Sequence, residues 1–93
     1  MIPTHRAPTH PGEMLLEEFL KPMKMSQVEL ANKMDISFNR VNELINGKRG
    51  ITADTALRLA VALKTSPEFW MNLQAAYDLY MAAQKDKALA AAI

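Results

Sequence analysis

Apolar residues recur at three- and four-residue steps through most of the chain, the spacing of helices that bury one side. The first run is Leu15, Leu16, Phe19 and Leu20. It opens near Gly12 and is expected to stop at Pro22, which lacks the amide a helix interior needs. The second run starts at Ser26, an N-cap with Glu29 three residues on, the capping-box arrangement. Leu30, Ala31 and Met34 supply its buried side. Asp35-Ile36-Ser37 reads as a three-residue turn. Ser37 then caps a third helix, Phe38 to about Asn46, with Gly47 expected just past its end. Thr52 caps a fourth, with Asp54 near its positive end. Ala56, Leu57, Leu59, Ala60 and Leu63 make that helix apolar over most of its surface, which places it centrally. Ser66-Pro67-Glu68 opens a fifth, whose stripe is Phe69, Trp70, Leu73, Tyr77 and Tyr80.

There is no strand alternation and no internal repeat, so the pattern predicts an all-α, five-helix bundle with short connectors. Residues 1–11 carry Pro3, Pro8, Pro11 and two His with little to bury, and read as a flexible N-terminal arm. Residues 12–84 form the expected bundle. Residues 85–93 turn to Lys-Asp-Lys and then to alanine, and are expected to be a helical or frayed tail.

Composition narrows the function classes. At 93 residues the chain is one domain, and 49% apolar with 23% charged residues is the balance of a folded protein. The absence of Cys excludes a disulfide scaffold, a thiol nucleophile and any Cys-based zinc site. A net charge of +1 does not by itself indicate a nucleic-acid partner. No apolar stretch is long enough to cross a membrane and the N-terminus does not read as a secretory signal, so a cytoplasmic protein is expected. His5 and His10 sit on the arm without Cys or helical pairing, and read as solvated residues; no metal and no cofactor is expected. No Ser/His/Asp set, carboxylate pair or Gly-rich phosphate loop can be assigned, and no enzymatic activity is expected.

The informative segment is 26–47, two short helices joined by a tight turn, the spacing of a helix-turn-helix whose second helix enters the DNA major groove. Ala31 is small where the helices cross, and Ile36 fills the angle between them. On the second helix, at about 100° per residue, Val41, Leu44 and Ile45 cluster on one side. Asn39 and Glu43 point away from them, and Arg40, Asn42 and Asn46 flank that direction. Asn pairs with adenine, Arg with guanine, and Glu accepts from cytosine. Asn is also a poor helix former, so this face carries a propensity cost that a merely solvated helix would avoid. Gln27 at the N-terminus of the preceding helix, and Asn46, Lys48 and Arg49 at the far end, are the expected phosphate contacts. Between Lys33 and Arg49, four bases face two acids, a modest excess that favours a dimer and salt-sensitive binding.

Gln27-Val-Glu-Leu-Ala31, with Ile36, Val41 and Leu44, resembles the Cro and phage-repressor helix-turn-helix proteins of the XRE class. Three longer stretches resemble HigA-type antitoxins, also called virulence-associated protein I: His10-Pro-Gly-Glu-Met-Leu-Leu-Glu-Glu-Phe-Leu-Lys-Pro-Met23, Asn42 to Ala60, and Thr65 to Gln74. The resemblance covers about residues 10–80. It implies a lambda-repressor-like bundle and a homodimeric DNA-binding antitoxin. Such a protein neutralises a HigB-type toxin, an mRNA-cleaving RNase of the RelE kind, and represses its own operon at a palindromic operator. It further implies base contacts from Ser37, Phe38, Asn39 and Glu43, with Arg40 reaching base or phosphate, and a phosphate contact from Gln27. The turn position that is often Gly in such proteins is Asp35 here, which tolerates a left-handed backbone at some cost.

Two readings stay open at this level. The stripe Phe69, Trp70, Leu73, Tyr77 and Tyr80 fits either the monomer's core or a two-fold dimer interface. A general XRE-family regulator, or a helical inhibitor with no DNA role of its own, is the alternative to the antitoxin.

Overall fold

The structure, a computed structural model, describes residues 8–92. Among the described residues it is all-helical, and the five expected helices are present. Pro11–Met14, Leu15–Leu20 and Lys21–Met23 run on as one helix, α1. It is followed by α2 (Gln27–Met34), α3 (Phe38–Ile45), α4 (Ala53–Leu63) and α5 (Pro67–Lys85). A sixth short helix, α6 (Lys87–Ala91), occupies the expected tail; Asp86 Oδ1 caps it by accepting from Leu89 N at 2.9 Å.

The capping residues act where the sequence puts them. Ser26 Oγ accepts from Glu29 N and Glu29 Oε1 accepts from Ser26 N, both at 3.0 Å, a complete capping box. The Ser26 amide holds the Glu29 carboxyl below its ordinary value. Ser37, Thr52 and Ser66 cap α3, α4 and α5 through the amides of Arg40, Thr55 and Phe69.

Pro22 does not end α1. The segment Leu15–Leu20 is wound as a π-helix, and Lys21 N donates to the Leu16 carbonyl five residues back. A proline in a regular α-helix collides with the carbonyl four residues before it. The wider turn ahead of Pro22 accommodates the ring, and the helix stops only at Lys24, which turns left-handed (φ 54°).

Every helix from α1 to α5 contributes to one core. Leu15, Leu30, Val41, Leu59 and Trp70 are fully buried, and Leu20, Met34, Leu44 and Ala56 nearly so. Ala31 is buried where α2 meets α3, as its size predicts. Trp70 is the centre of an aromatic group: Phe69 and Phe19 lie 5.0 Å and 5.2 Å from it, ring to ring. Its Nε1 donates to Thr65 Oγ1 at 2.7 Å, so the one polar atom of the indole is satisfied. Of the two readings of its stripe, core or dimer interface, Trp70 takes the first. It has no surface left for a partner, and Phe69 and Leu73 pack against the same core.

The proposed arm ends earlier than expected. Residues 1–7, with His5, lie outside the described residues. Pro11 and Gly12 are buried and already helical, and His10 caps α1, its Nδ1 accepting from Gly12 N at 2.9 Å. His10 is thus a structural residue in part shielded by Tyr77, and the expectation of a solvated side chain fails.

The caps predict a measurable cost. Ser66→Ala removes the acceptor at the head of α5 and should lower stability by about 1 kcal/mol, a fall in Tm of about 4–8 °C. Urea and thermal unfolding of the variant read this directly.

Candidate nucleic-acid interface

The third helix is held by its buried side. Val41 and Leu44 are in the core and Ile45 packs against it, which turns the opposite side outward. Asp35 makes the turn possible. Its backbone is left-handed (φ 54°), and its amide closes α2 by donating to Asn32 O while Ile36 N reaches back to Ala31 O. Gly47 (φ 75°) ends α3, after Asn46.

The structure brings the expected base-reading residues to one face, with different degrees of freedom. Ser37, Phe38 and Asn39 are exposed at the N-terminal end of α3, and Phe38 keeps 46% of its surface in water. An aromatic left that open is not a core residue. Glu43 is partly shielded because Arg49 pairs with it at 3.0 Å. Asn42 Nδ2 donates to Gln27 Oε1 at 3.1 Å, and Asn46 Nδ2 donates to Asn42 Oδ1 at the same distance. These three amides form a chain along the seam between α2 and α3. One end sits at the first turn of α2, where free amides favour a phosphate, and the other at the last turn of α3. Lys48 is exposed beyond it.

Arg40 departs from the expectation of a freely projecting guanidinium. Its Nη2 meets Asp54 Oδ2 at 3.3 Å and donates to Thr55 Oγ1 at 3.1 Å. The side chain lies along the N-terminus of α4 rather than out from α3. A contact of Nη2 with DNA would compete with Asp54 and Thr55. The Arg58 hydrogen bond, and then the Arg40 one, hold the Asp54 carboxyl below its ordinary value. Because the folded value is the lower one, this pairing is intact above the unfolded value of about 3.9 and is lost only as pH falls through the folded one.

Two residues that sequence reasoning missed set the frame. Arg58 donates from Nη1 to the Met34 carbonyl at 2.7 Å, satisfying the C-terminal end of α2 next to the turn. It also shares Asp54 with Arg40. The spacing Asp54–Arg58, four residues on one helix, was the available signal. Gln74 on α5 accepts from Ile51 N at 2.6 Å and lies against Gly50, fixing the loop that carries Lys48 and Arg49. Nothing local in the sequence marks it, since its partner is 23 residues away.

The remaining stripe residues fall on both sides of the question. Tyr77 meets His10 edge-on at 4.8 Å, and Tyr80 is half-buried. Farther out on α5, Leu79 and Met81 are exposed. Among the described residues no helix is long and apolar enough to cross a membrane, and no three His, Asp or Glu side chains gather as metal ligands do.

Known proteins share this fold. Residues 16–70 match the helix-turn-helix family model. Virulence-associated protein I of Dichelobacter nodosus is 49% identical over 80 residues, which span 86% of this chain and 74% of that protein. An addiction module antidote protein of the HigA family from Coxiella burnetii has a solved structure that superposes with a TM-score of 0.83. It is 53% identical, covering 89% of this chain and 90% of the other. The Pseudomonas aeruginosa antitoxin HigA, solved with the higBA promoter, gives a TM-score of 0.84 at 41% identity, over 88% of this chain and 89% of that one.

If Asp54 restrains Arg40, then Asp54→Asn should strengthen binding to duplex DNA and steepen its salt dependence by about one counterion. The gain should vanish in an Arg40→Gln background. A gain of equal size in both backgrounds would mean that the removed charge acts on DNA without Arg40.

Proposed function

The chain belongs to the helix-turn-helix family, in the branch of virulence-associated protein I and the HigA antidote proteins, and we propose that it is a DNA-binding antitoxin that represses its own operon. The observation that carries this reading is the outward face of α3. It sets exposed Ser37, Phe38 and Asn39 beside the amide chain Gln27–Asn42–Asn46, on a helix fixed from behind by Val41 and Leu44. A relative of similar fold is an antitoxin solved with promoter DNA.

In this reading α3 lies in the major groove. Asn39 and Glu43 read base edges, Ser37 and Phe38 contact the bases at the helix start, and Phe38 meets a thymine methyl. Asn42 shares its amide between Gln27 and a base edge. Gln27, Asn46, Lys48 and Arg49 hold phosphates. Arg40 reaches base or phosphate in competition with its pairing to Asp54. Two copies joined as a homodimer place their recognition helices about 34 Å apart, one DNA turn, and so address an inverted repeat. The partner protein is a HigB-type toxin, which the antitoxin neutralises by binding. The chain itself catalyses nothing in this scheme and works in the cytoplasm, where both its operator and its toxin lie.

A gel shift and a footprint with the DNA directly upstream of the gene test the reading. Wild type should protect an inverted repeat, and Asn39→Ala should lose about tenfold in affinity for it while keeping non-specific binding. Lys48→Ala should weaken binding to all sequences and reduce the salt slope by about 1. A chain that binds this DNA no better than unrelated duplex, yet still binds a toxin encoded next to it, would be an inhibitor without a DNA role.

A further inference from the structure

The first turn of α1 touches the recognition helix backbone to backbone. A Cβ added at Gly12 would lie 1.8 Å from the Leu44 carbonyl oxygen and 3.0 Å from the Ile45 Cα. No side chain, not even a methyl group, fits there. The atoms it would strike are backbone, so relief requires α1 and α3 to move apart by more than an ångström. The contact falls on the last turn of α3, where the Leu44 carbonyl also accepts from Gly47 N at 3.2 Å. The chain leaves that turn into the loop of Lys48 and Arg49.

His10 caps the turn that carries Gly12. Its Nδ1 accepts from Gly12 N at 2.9 Å, and its carbonyl accepts from Glu13 N and Met14 N. Its ring stands edge-on to Tyr77 of α5. An imidazole can cap a helix only while the capping nitrogen carries no proton. Once protonated, both ring nitrogens are donors, and Nδ1–H would face the Gly12 N–H.

We propose that Gly12 and His10 are positioning residues for DNA binding: Gly12 sets the seat of the recognition helix's last turn on α1, and the neutral imidazole of His10 locks that seat. This rests on the DNA-binding reading of α3. Protonation of His10 removes the lock and loosens the end of α3 together with the loop behind it.

The surroundings favour the neutral form. Burial pushes the imidazole below its ordinary value, against the weaker opposing pull of Asp78 on α5 and Glu13 on α1, the charged groups that face it. A histidine whose folded value lies below the unfolded one takes up its proton more readily in the unfolded chain. The lock is therefore complete above about pH 6.5 and weakens as pH falls below it.

The test uses the full chain and a duplex carrying the promoter region upstream of its gene. Gly12→Ala should stay helical and melt cooperatively, yet bind the promoter about tenfold more weakly and with a smaller salt slope, because the displaced end of α3 leads into the phosphate contacts Asn46, Lys48 and Arg49. His10→Asn supplies a cap that does not titrate, and His10→Ala supplies none. In wild type, between about pH 8 and pH 5, the amide signals of Ile45, Asn46 and Gly47 should titrate together with the His10 ring, and promoter affinity should fall with them. In His10→Asn both should be flat over that range, and His10→Ala should resemble acidified wild type throughout. His5→Asn should keep the wild-type profile, which separates the two histidines. Should Gly12→Ala fail to fold, the His10 series decides. Gly12→Ala binding as wild type does, or a His10→Asn profile identical to wild type, overturns the proposal. Wild type that shows no preference for the promoter duplex at any pH overturns the DNA reading instead, and the amide titration still reports whether His10 and the end of α3 are coupled.

Discussion

The structure depends on the burial of one side of an eight-residue helix. Val41 and Leu44 of α3 sit in a core made by the helices around it, and everything proposed for the opposite side follows from that attachment. An isolated helix of this length would not form in water. Buried aliphatic side chains of this kind are each worth about 2–5 kcal/mol, enough to hold a helix whose outer face is composed of poor helix formers. The Asn residues that cost propensity are tolerated because the core, not the helix's own preference, keeps α3 in place.

The two arginines of this face have acidic partners beside them. Arg49 is paired with Glu43, and Arg40 with Asp54. Such exposed pairs add little to stability. Their effect is to hold guanidinium groups in defined positions and to damp indiscriminate attraction to phosphate. In the proposed mode of binding, affinity then comes from shape, from amide and hydroxyl contacts, and from joining two copies, which favours selectivity over raw electrostatic pull.

Much of this was legible in the sequence, because it is encoded locally. The capping box of Ser26 and Glu29, the caps at Ser37, Thr52 and Ser66, the left-handed turn at Asp35 and the terminating Gly47 each depend on a few adjacent residues. The seam of Val41, Leu44 and Ile45 shows in helical spacing alone. The features that stayed hidden are those whose partners are far along the chain or whose geometry is irregular. Arg40 is on the expected helix, but Asp54 lies 14 residues on and captures it. Trp70 falls in a stripe that suits a core or an interface equally, and only its hydrogen bond to Thr65 and its aromatic neighbours place it inside. Pro22 reads as a stop, because nothing in residue spacing reveals the π-helical turn that lets the helix pass. His10 reads as part of a solvated arm, because its role depends on Gly12 meeting a carbonyl of a different helix.

In the proposed mode of binding, the solvent-facing side of α3 is what this protein lays against DNA. Mapping backbone amide signals of the labelled chain as promoter duplex is added tests it most directly. The largest changes should fall on Ser37 to Asn46, with Gln27, Lys48 and Arg49 beside them, and the exposed side of α5 around Leu79 should change little on DNA addition to a preformed dimer. Changes confined to α5 and α6, with α3 unmoved, would contradict it.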